Sequence, residues 1–411
     1  MKRQSNRRKV SSVLAIFSIV ALLSLMVPAG VVQAATRFVL ARTILSPTPT
    51  GGGFIGEAMG VVGDTFLVGA RGECAPTCGG AVHQFDSNGN LVRTIGTPSL
   101  FASFGTSVGA VGLNPLVGAI HDSTAGSNAG AAYLFDGASG NLLQTFLNPE
   151  PTPDATGGLD FFGHAVAGFG DDVLVASPGQ DLDPGIQDAG VVYLFDGATG
   201  TLLQTLQKPN PAAFDQFGVS VATVGNNIAV AAAFDATAAT NGGAVYLFDG
   251  SGNLITTIVS PRPVEFGQFG GAMAAFGDDL LVSEERGFTG DVRAGVVHLF
   301  DGATGAFIRS YFNPTPKAFE LFGNSVAASG NNVLIGALRN AKGQTSGAAY
   351  LFDGTTAELT ATLLNPERSV TDSFAWSVAA IGDSLLVGSP FQTSDPAQFF
   401  DDGAAYLFQP R

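Results

Sequence analysis

The amino-acid sequence predicts an all-β fold, a seven-bladed β-propeller with four antiparallel strands in each blade. Three observations support this prediction. Two short sequence words recur seven times, each repeat of about 50 residues contains four strand-like segments, and the two ends of the repeat array complement each other. A single hairpin cannot bury its apolar face, so a chain that repeats one gains a core by packing the copies together.

The first recurring word is an apolar strand that ends in Leu-Phe-Asp, and the second is Phe-Gly followed by small and apolar residues. The aromatic residue of the first word falls at Phe85, Phe135, Phe195, Phe248, Phe300, Phe352 and Phe408. The glycine position of the second word falls at Gly56, Gly105, Gly163, Gly218, Gly270, Gly323 and Ala375. Both words therefore count seven units.

The unit at 268–312 shows how four strands arise within one repeat. An alternating segment, GGAMAAFG, is followed by a tight Asp-Asp turn, the apolar run LLVSEE, a variable loop, the strand AGVVHLFD, the turn GATG and the strand AFIRSYF. Turns rich in Asp, Asn and Gly are typical of hairpins because these residues accept positive φ. The Pro-rich segment NPTP then ends the unit, since proline is excluded from central strands.

The ends of the array predict how the ring closes. The last unit stops after its third strand, at 403–411, whereas residues 38–49 match the fourth-strand pattern and have no unit of their own. We expect the N-terminal strand to complete the seventh blade and so remove an open sheet edge. Deletion of 36–46 is then predicted to destabilise the whole protein, and deletion of 409–411 to have little effect.

The segment FGNSVAASGNNVLIGA at 322–337, followed by SGAAYLFDG at 346–354, resembles the FG-GAP repeat, the blade type of integrin α-subunit propellers. The resemblance extends over 38–411 and implies the same propeller fold. It departs from the integrin pattern in one important respect. The Asp-rich calcium loop between the first two strands is replaced by GDD, GNN or GDS, so no calcium site is implied at those turns.

The N-terminal residues 1–35 are predicted to be a signal peptide, which leaves 36–411 as the propeller. Five basic residues precede an apolar run from Val13 to Val32, and small residues follow at a cleavage-like site. The alternative is an uncleaved membrane anchor, because the run approaches spanning length. The protein is therefore expected to be secreted or displayed at the cell surface, without a transmembrane domain in the mature chain.

Composition narrows the class of partner. Without the five basic residues of the leader, 14 basic and 34 acidic residues remain, which gives a net charge near −20. Such an acidic surface argues against nucleic acid as a partner. The two cysteines, Cys74 and Cys78, lie in one short loop and are predicted to form a local disulfide, since an exported protein meets oxidising conditions.

Variable loops indicate where a ligand binds. The first-to-second and third-to-fourth turns of the units are short and nearly constant, whereas the second-to-third and blade-to-blade connections vary strongly. In a propeller the two sets lie on opposite faces. We therefore predict that any binding site lies on the variable face, around the mouth of the central channel.

Three acidic clusters are candidate ligand sites on this face. Asp181, Asp183 and Asp188 offer hard oxygen ligands and make calcium the candidate cofactor; the alternative is a solvated loop in which Asp supports turns. The other two clusters are Glu284, Glu285 and Asp291, and Asp401 and Asp402. The Asp of each Phe-Asp-Gly turn is predicted to cap its turn and to play no part in binding.

The sequence favours a non-catalytic binding or adhesion module. It is expected to recognise a protein or glycan at the cell surface through the variable face. No nucleophile elbow, zinc-binding His pair or phosphate loop occurs. An extracellular enzyme with a site at the channel mouth, hydrolytic or quinoprotein-like, is the alternative, although the docking Trp of quinoprotein repeats is missing. A structural role in an envelope or matrix is the third hypothesis. A monomer is expected.

Overall fold

The computed structural model describes residues 37–48, 52–74, 78–151, 159–182, 185–339, 347–367, 373–392 and 402–411. The predicted leader at 1–35 lies outside these residues. All regular structure in the described residues is β-strand, arranged in seven four-stranded antiparallel sheets and one small hairpin. The predicted all-β, seven-bladed propeller is confirmed. No helix in the described part of the chain is long and apolar enough to cross a membrane.

The four strands of each blade are stacked in chain order from the channel outward, except in the seventh blade. The innermost strands are β2 (Met59–Val62), β6 (Phe104–Val111), β10 (Val166–Phe169), β14 (Phe217–Val224), β18 (Phe269–Phe276), β24 (Phe322–Ser329) and β28 (Val378–Ile381). The second strands are β3 (Thr65–Ala70), β7 (Asn114–Ala119), β11 (Asp172–Ser177), β15 (Asn227–Ala232), β19 (Asp279–Glu284), β25 (Asn332–Ala337) and β29 (Ser384–Ser389).

The outer half of each blade carries the Leu-Phe-Asp word and the edge strand. The third strands are β4 (Ala81–Asp86), β8 (Ala131–Phe135), β12 (Val191–Phe195), β16 (Ala244–Asp249), β22 (Val296–Asp301), β26 (Ala348–Asp353) and β30 (Ala404–Pro410). The outermost strands are β1 (Phe38–Ile44), β5 (Leu91–Gly96), β9 (Leu142–Leu147), β13 (Leu202–Leu206), β17 (Leu254–Ile258), β23 (Phe307–Phe312) and β27 (Leu359–Leu364). The small hairpin is formed by β20 (Phe288–Thr289) and β21 (Val292–Arg293).

The N-terminal strand closes the ring, as the sequence predicts. β1 pairs antiparallel with β30 over residues 38–44 and 405–410, and the innermost strands β2 and β28 of the first and last blades contact each other. Residues 409–411, whose deletion is predicted to have little effect, take part in this closure. Gln409 pairs with Val39, and its side-chain amide donates hydrogen bonds to the Ser87 carbonyl and the Ser384 hydroxyl, so this residue joins the seventh blade to the first.

The core of the described residues consists of seven apolar clusters, each shared by two neighbouring blades, and the two recurring words supply most of its aromatic residues. In the second blade Phe104 is fully buried, and its ring centroid lies 5.9 Å from that of Tyr133 and 5.8 Å from that of Phe135. The same three-ring contact recurs around Phe162, Phe217, Phe322 and Phe374. The words recur because each one contributes one part of the same packing unit.

The glycine of the Phe-Gly word is fixed by the backbone. Gly105 has a φ of 93°, and a Cβ at this position would lie 2.8 Å from the Ala81 carbonyl oxygen. Left-handed backbone and close approach both favour glycine. The seventh blade departs from the pattern, because Ala375 adopts a φ of 68° at the equivalent position.

Short turns on one face of the propeller are held by the repeated aspartates. The Asp196 carboxylate accepts hydrogen bonds from the Thr199 amide, at 2.7 Å, and from the Thr199 hydroxyl, at 2.8 Å. These bonds hold the pKa of Asp196 below its usual range. Equivalent bonds are made by Asp136, Asp249, Asp301 and Asp353. The predicted capping role of these residues is confirmed.

Candidate functional site: the variable-loop face

The face opposite the short turns carries every long connection, and its loops are tied together by backbone hydrogen bonds. The second-to-third loop of one blade accepts a hydrogen bond from the connection that leads into the next blade. Four such bonds join amide to carbonyl: Phe101 to Cys78, Phe214 to Gln187, Phe266 to Thr240 and Phe319 to Arg293, at 2.7 or 2.8 Å. We call this surface the variable face. Its scaffold repeats, whereas most of its exposed side chains differ from blade to blade.

The variable loop of the first blade contains the predicted disulfide. Cys74 and Cys78 are bonded to each other, which confirms the pairing. Because the Cys78 carbonyl also accepts the Phe101 amide, the disulfide lies at the point where this loop meets the second blade.

The aspartates of the third blade support their own loop. The Asp181 carboxylate accepts a hydrogen bond of 2.8 Å from the backbone amide of Asp188, and Asp188 itself has a φ of 48°. This is the turn chemistry that the sequence offered as the alternative to calcium. Asp183 lies outside the described residues. Among the described residues, no group of three His, Cys, Asp or Glu side chains has the geometry to hold a metal ion.

The second acidic cluster is separated by the fold. Glu284 is buried at the end of β19, where its carboxylate accepts a hydrogen bond of 2.6 Å from the Ser260 hydroxyl and lies 3.4 Å from His298 Nε2. Asp291 is exposed at the tip of the β20–β21 hairpin. Glu285 is half-buried, and its carboxylate lies against the backbone of Gly271 on the innermost strand. Burial raises the pKa of Glu285, and Arg286 opposes this rise.

Buried polar groups like Glu284 occur at several blade junctions, and the sequence reading did not detect them. Three of them, Glu73, Asp122 and Asp235, lie three residues after the second strand of their blade and contact a Tyr or His of the third strand. Glu73 lies 2.6 Å from His83 Nε2, and the hydroxyls of Tyr133 and Tyr246 donate to Asp122 and Asp235 at 2.6 and 2.7 Å. The signal was available as an acidic residue recurring at one offset, in loops that otherwise differ.

The burial of Glu284 is related to a second set of carboxylates, which lie just before the Phe-Gly word and are missing from the fifth blade. In the third, fourth and sixth blades a buried carboxylate, at Asp160, Asp215 or Glu320, precedes the Phe-Gly word by two residues. The fifth blade has Gly267 there, and a Cβ on Gly267 would lie 2.6 Å from Glu284 Oε1. The carboxylate of Glu284 therefore fills the space that the glycine leaves, which is a structural role.

The third acidic pair is only partly described. Asp402 is buried, and its carbonyl accepts the Ile55 amide at 2.9 Å, which links the seventh blade to the first. Asp401 lies outside the described residues.

The channel mouth carries titratable side chains that belong to different blades. Glu57 pairs with Arg71, whose Nε lies 2.6 Å from Glu57 Oε2. His164 is half-buried, and burial lowers its pKa. In the seventh blade, Trp376 packs edge-on against Phe391, with ring centroids 5.2 Å apart. In the second blade, His121 Nδ1 lies 2.8 Å from the Ser103 hydroxyl, with which it forms a hydrogen bond.

A cleft of about 320 Å³ opens at the rim, between β1 and the first blade. Arg42, Ile44, Phe85 and Leu91 contribute to its lining, and Arg42 donates to the Gly89 carbonyl and the Asn90 side chain at 2.6 and 2.8 Å. These bonds join the closing strand to the next blade. The cleft therefore belongs to the seam of the ring and not to the variable face.

Four phenylalanines stand out on the variable face. Each lies three residues before the buried phenylalanine or equivalent of its blade, each has positive φ, and each is exposed to solvent. They are Phe101, Phe214, Phe266 and Phe319, with 74%, 55%, 47% and 56% of the side chain exposed and φ between 55° and 66°. We call this set the phenylalanine ring.

The phenylalanine ring combines two unfavourable features. A bulky residue with positive φ is an uncommon and strained conformation, which costs roughly 1–2 kcal/mol. Exposure of an aromatic side chain also forgoes the free energy of burial. The fold does not require phenylalanine at this position, because the first blade has Gly52 there, with a φ of 81°. Strain kept at a repeated surface position indicates a role outside folding.

Comparison with known protein families agrees with this architecture. Three segments match the family described as FG-GAP repeat: 201–248, 316–352 and 358–408. The first segment covers β13 to β16, the second covers β24 to β26, and the third covers β27 to β30, so two of them cross a blade boundary. Together with the seven blades, the matches confirm the resemblance to the FG-GAP repeat seen in the sequence.

No curated protein shows significant similarity to the chain. FG-GAP repeats are typical of extracellular or cell-surface proteins. The family defines a fold and leaves the ligand open, so function has to be argued from the variable face itself.

Proposed function

We propose that the protein is a non-catalytic binding module that works outside the cell or at its surface, and that it binds a protein partner through the variable face. The observation that carries the proposal is the phenylalanine ring. Aromatic residues are enriched at protein interfaces, and they dominate the binding energy of those interfaces when they are desolvated in the complex.

The distribution of the ring favours a protein over a small ligand. Its members belong to the second, fourth, fifth and sixth blades, so they are spread around the face. Small molecules bind in concave sites whose polar groups converge. A repeated, outward-facing aromatic position fits a broad contact, and interfaces of this kind bury about 800 Å² on each partner.

A binding role also agrees with the titratable groups of the variable face and of the blade junctions beneath it. Glu57 is paired with Arg71, His121 with Ser103, and Glu284 with Ser260. Groups that are held in this way stabilise loops. Catalysis by acid and base needs two such groups on either side of one reacting position.

The test is binding of the labelled protein to producing cells whose own gene has been deleted. A variant with Phe101, Phe214, Phe266 and Phe319 all changed to Ser removes the ring. A matched control changes four exposed leucines of the outer strands to Ser: Leu91, Leu142, Leu202 and Leu254.

We expect the ring variant to lose binding and the leucine variant to retain it, with both variants folded by circular dichroism. Retained binding by the ring variant, or absence of binding by the unaltered protein, contradicts the proposal. Turnover of a substrate by the purified protein would favour the alternative, an extracellular enzyme.

A further inference from the structure

The β20–β21 hairpin of the fifth blade gives the variable face a positively charged aromatic centre. Phe288 on this hairpin is half-buried, and two guanidinium groups lie over its ring. The Cζ atom of Arg262 is 4.6 Å from the ring centroid and that of Arg293 is 5.6 Å from it. Both distances are within the range of cation–π contacts. We call these three residues the Arg–Phe patch.

Both arginines are held in place by the loops around them. Arg262 comes from the connection between the fourth and fifth blades, and its Nη1 donates to the Gly290 carbonyl in the hairpin turn at 2.7 Å. Arg293 comes from the hairpin and donates in the opposite direction, to the Glu265 carbonyl of that connection. The guanidinium groups are therefore positioned before any partner binds, which reduces the entropic cost of binding.

Two members of the phenylalanine ring flank the patch. Phe266 directly follows Glu265, whose carbonyl accepts the Arg293 side chain. On the other side, the amide of Phe319 donates to the Arg293 carbonyl at 2.8 Å. Arg293 thus contacts the backbone next to both exposed rings. The patch is therefore linked to the chain segments that carry Phe266 and Phe319.

The two arginines keep most of their hydrogen-bonding capacity. A guanidinium group has five N–H donors, and among the described residues each of these two arginines uses one of them in a side-chain bond. The ion pairs within the described residues involve Arg71, Lys208, His83 and His298 as cations, and neither patch arginine takes part. The patch therefore places two fixed and adjacent positive charges, with no ion-pair partner among the described residues, on a chain with 34 acidic residues.

We propose that the Arg–Phe patch is the anchor for an acidic segment of a protein partner, one that carries carboxylates beside apolar side chains. This inference rests on the proposed function and names the chemistry of its partner. The planar guanidinium fork matches a carboxylate, and an anion placed here offsets the repulsion between the two arginines. Phe266 and Phe319 take the apolar side chains next to it.

A protein segment fits this arrangement better than an anionic polysaccharide. Arg and aromatic residues together are the composition of protein–protein hot spots. The patch also continues into the phenylalanine ring around the face, so the anchor lies within a wider apolar contact.

The experiment measures binding of the purified protein to a random copolymer of glutamate and tyrosine, by biolayer interferometry in low salt. Polyglutamate, polylysine and hyaluronan serve as comparison probes. Three double variants are compared with the parent: Arg262→Gln with Arg293→Gln, Phe266→Ser with Phe319→Ser, and the control Arg37→Gln with Arg411→Gln. The control makes the same change in charge at the ends of β1 and β30, away from the patch.

We expect the parent to bind the copolymer more tightly than polyglutamate, and not to bind polylysine. The arginine variant should lose at least about tenfold in affinity and the phenylalanine variant at least about fivefold, while the control stays within about twofold. Added salt should weaken binding by the parent more than binding by the arginine variant, because screening acts on the charges. Should the arginine variant prove unstable, Arg262→Lys with Arg293→Lys keeps the charge and removes the planar fork.

Three results would overturn the inference: no binding of the copolymer, equal affinity of parent and arginine variant, or arginine-dependent binding of hyaluronan alone. The cell-binding assay separates these failures from failure of the proposed function. If the arginine variant binds cells like the parent while the four-Ser ring variant does not, the variable face binds a partner that is not acidic. If the ring variant binds as well, the proposed function is wrong.

Discussion

The two faces of this propeller are built from the same seven repeats, yet side chains recur from blade to blade more regularly on the short-turn face than on the variable face. On the short-turn face the side chain repeats along with the backbone, and each of these aspartates accepts a hydrogen bond from a backbone amide of its own turn, as Asp196 does. On the variable face the backbone bond repeats while the side chains around it differ, as between Gln187, Thr240 and Arg293, whose carbonyls accept equivalent amides. The repeated aspartates of the short-turn face serve the fold. On the variable face, the phenylalanine ring and the side chains that differ from blade to blade are available for binding.

The largest effect is expected where the ring closes. Deletion of 36–46 removes β1, and with it the buried side chain of Ile44 and the pairing along β30. We expect the free energy of unfolding to fall by on the order of 5 kcal/mol or more, because an apolar core residue and a strand pairing are lost together. Thermal unfolding and light scattering measure this loss and the aggregation expected from an open edge.

A deletion variant that stays monomeric and unfolds at the parent temperature would contradict closure by β1. The Arg37→Gln variant is a suitable control, since it alters the same segment and leaves the paired residues unchanged.

The second prediction compares Phe214, in the connection that leads into the fourth blade, with Phe217, the first residue of β14. Phe217 is fully buried, so Phe217→Ala should cost about 3–5 kcal/mol. Phe214, three residues earlier, is exposed and has a φ of 66°. Phe214→Ala should change stability by less than about 0.5 kcal/mol, and Phe214→Gly should raise it, because glycine relieves the left-handed strain.

Urea unfolding of the three variants measures these differences. A destabilisation by Phe214→Gly comparable to that of Phe217→Ala would show that the exposed side chain of Phe214 stabilises the fold. It would also remove the main argument for binding through the phenylalanine ring.

The third prediction concerns the loop of Asp181. Asp181→Ala should cost about 1 kcal/mol in the presence of a chelator, because the Asp188 amide loses its acceptor. The earlier hypothesis places any calcium in this loop and none at the GDD turns. Thermal unfolding with added calcium tests it, since a bound ion raises stability. A calcium-dependent rise that persists in Asp181→Ala would place the metal elsewhere.

Much of the fold was predictable from the sequence because the seven repeats can be aligned with one another, which shows which residue types recur at each position. The turn role of Asp196 follows from its recurrence, and the closure by Phe38–Ile44 follows from the unmatched strands at the two ends. Glu284 was less accessible. Its burial depends on the absence of a side chain at Gly267, and a compensation between residues 17 positions apart leaves no local pattern.

The sequence was enough to predict which face carries the candidate site, but it was not enough to predict which residues form the site. Loop variability identified the surface. On that surface the sequence analysis selected acidic residues as candidate ligand sites and did not select the arginines. The approach of Arg262 and Arg293 to one ring depends on two loops from different connections. The positive φ of Phe214 and its equivalents likewise becomes visible only in the backbone.

The fourth prediction, with the smallest effect, is a pH dependence on the short-turn face. Hydrogen bonds from Thr199 lower the pKa of Asp196, so its stabilisation is present above the unfolded pKa of about 3.9 and disappears as the pH falls through the folded value. Asp196→Ala should lower the unfolding temperature at pH 7 and make no difference near pH 2. Asp171→Ala, in the neighbouring turn, is the control and should not destabilise the protein. An effect of Asp196→Ala that is equal at both pH values would contradict the capping role.

The most direct test of the central claim blocks each face in turn. Phe214→Cys and Leu113→Cys each place one thiol at an exposed apolar position, the first on the variable face and the second at a short turn, while Cys74 and Cys78 remain bonded to each other. Each thiol is coupled to a polyethylene glycol chain, and binding to producing cells that lack the gene is measured. We predict that the polymer at position 214 abolishes binding and that the polymer at position 113 leaves it unchanged. Binding that survives the first and is lost with the second would show that the partner uses the short-turn face.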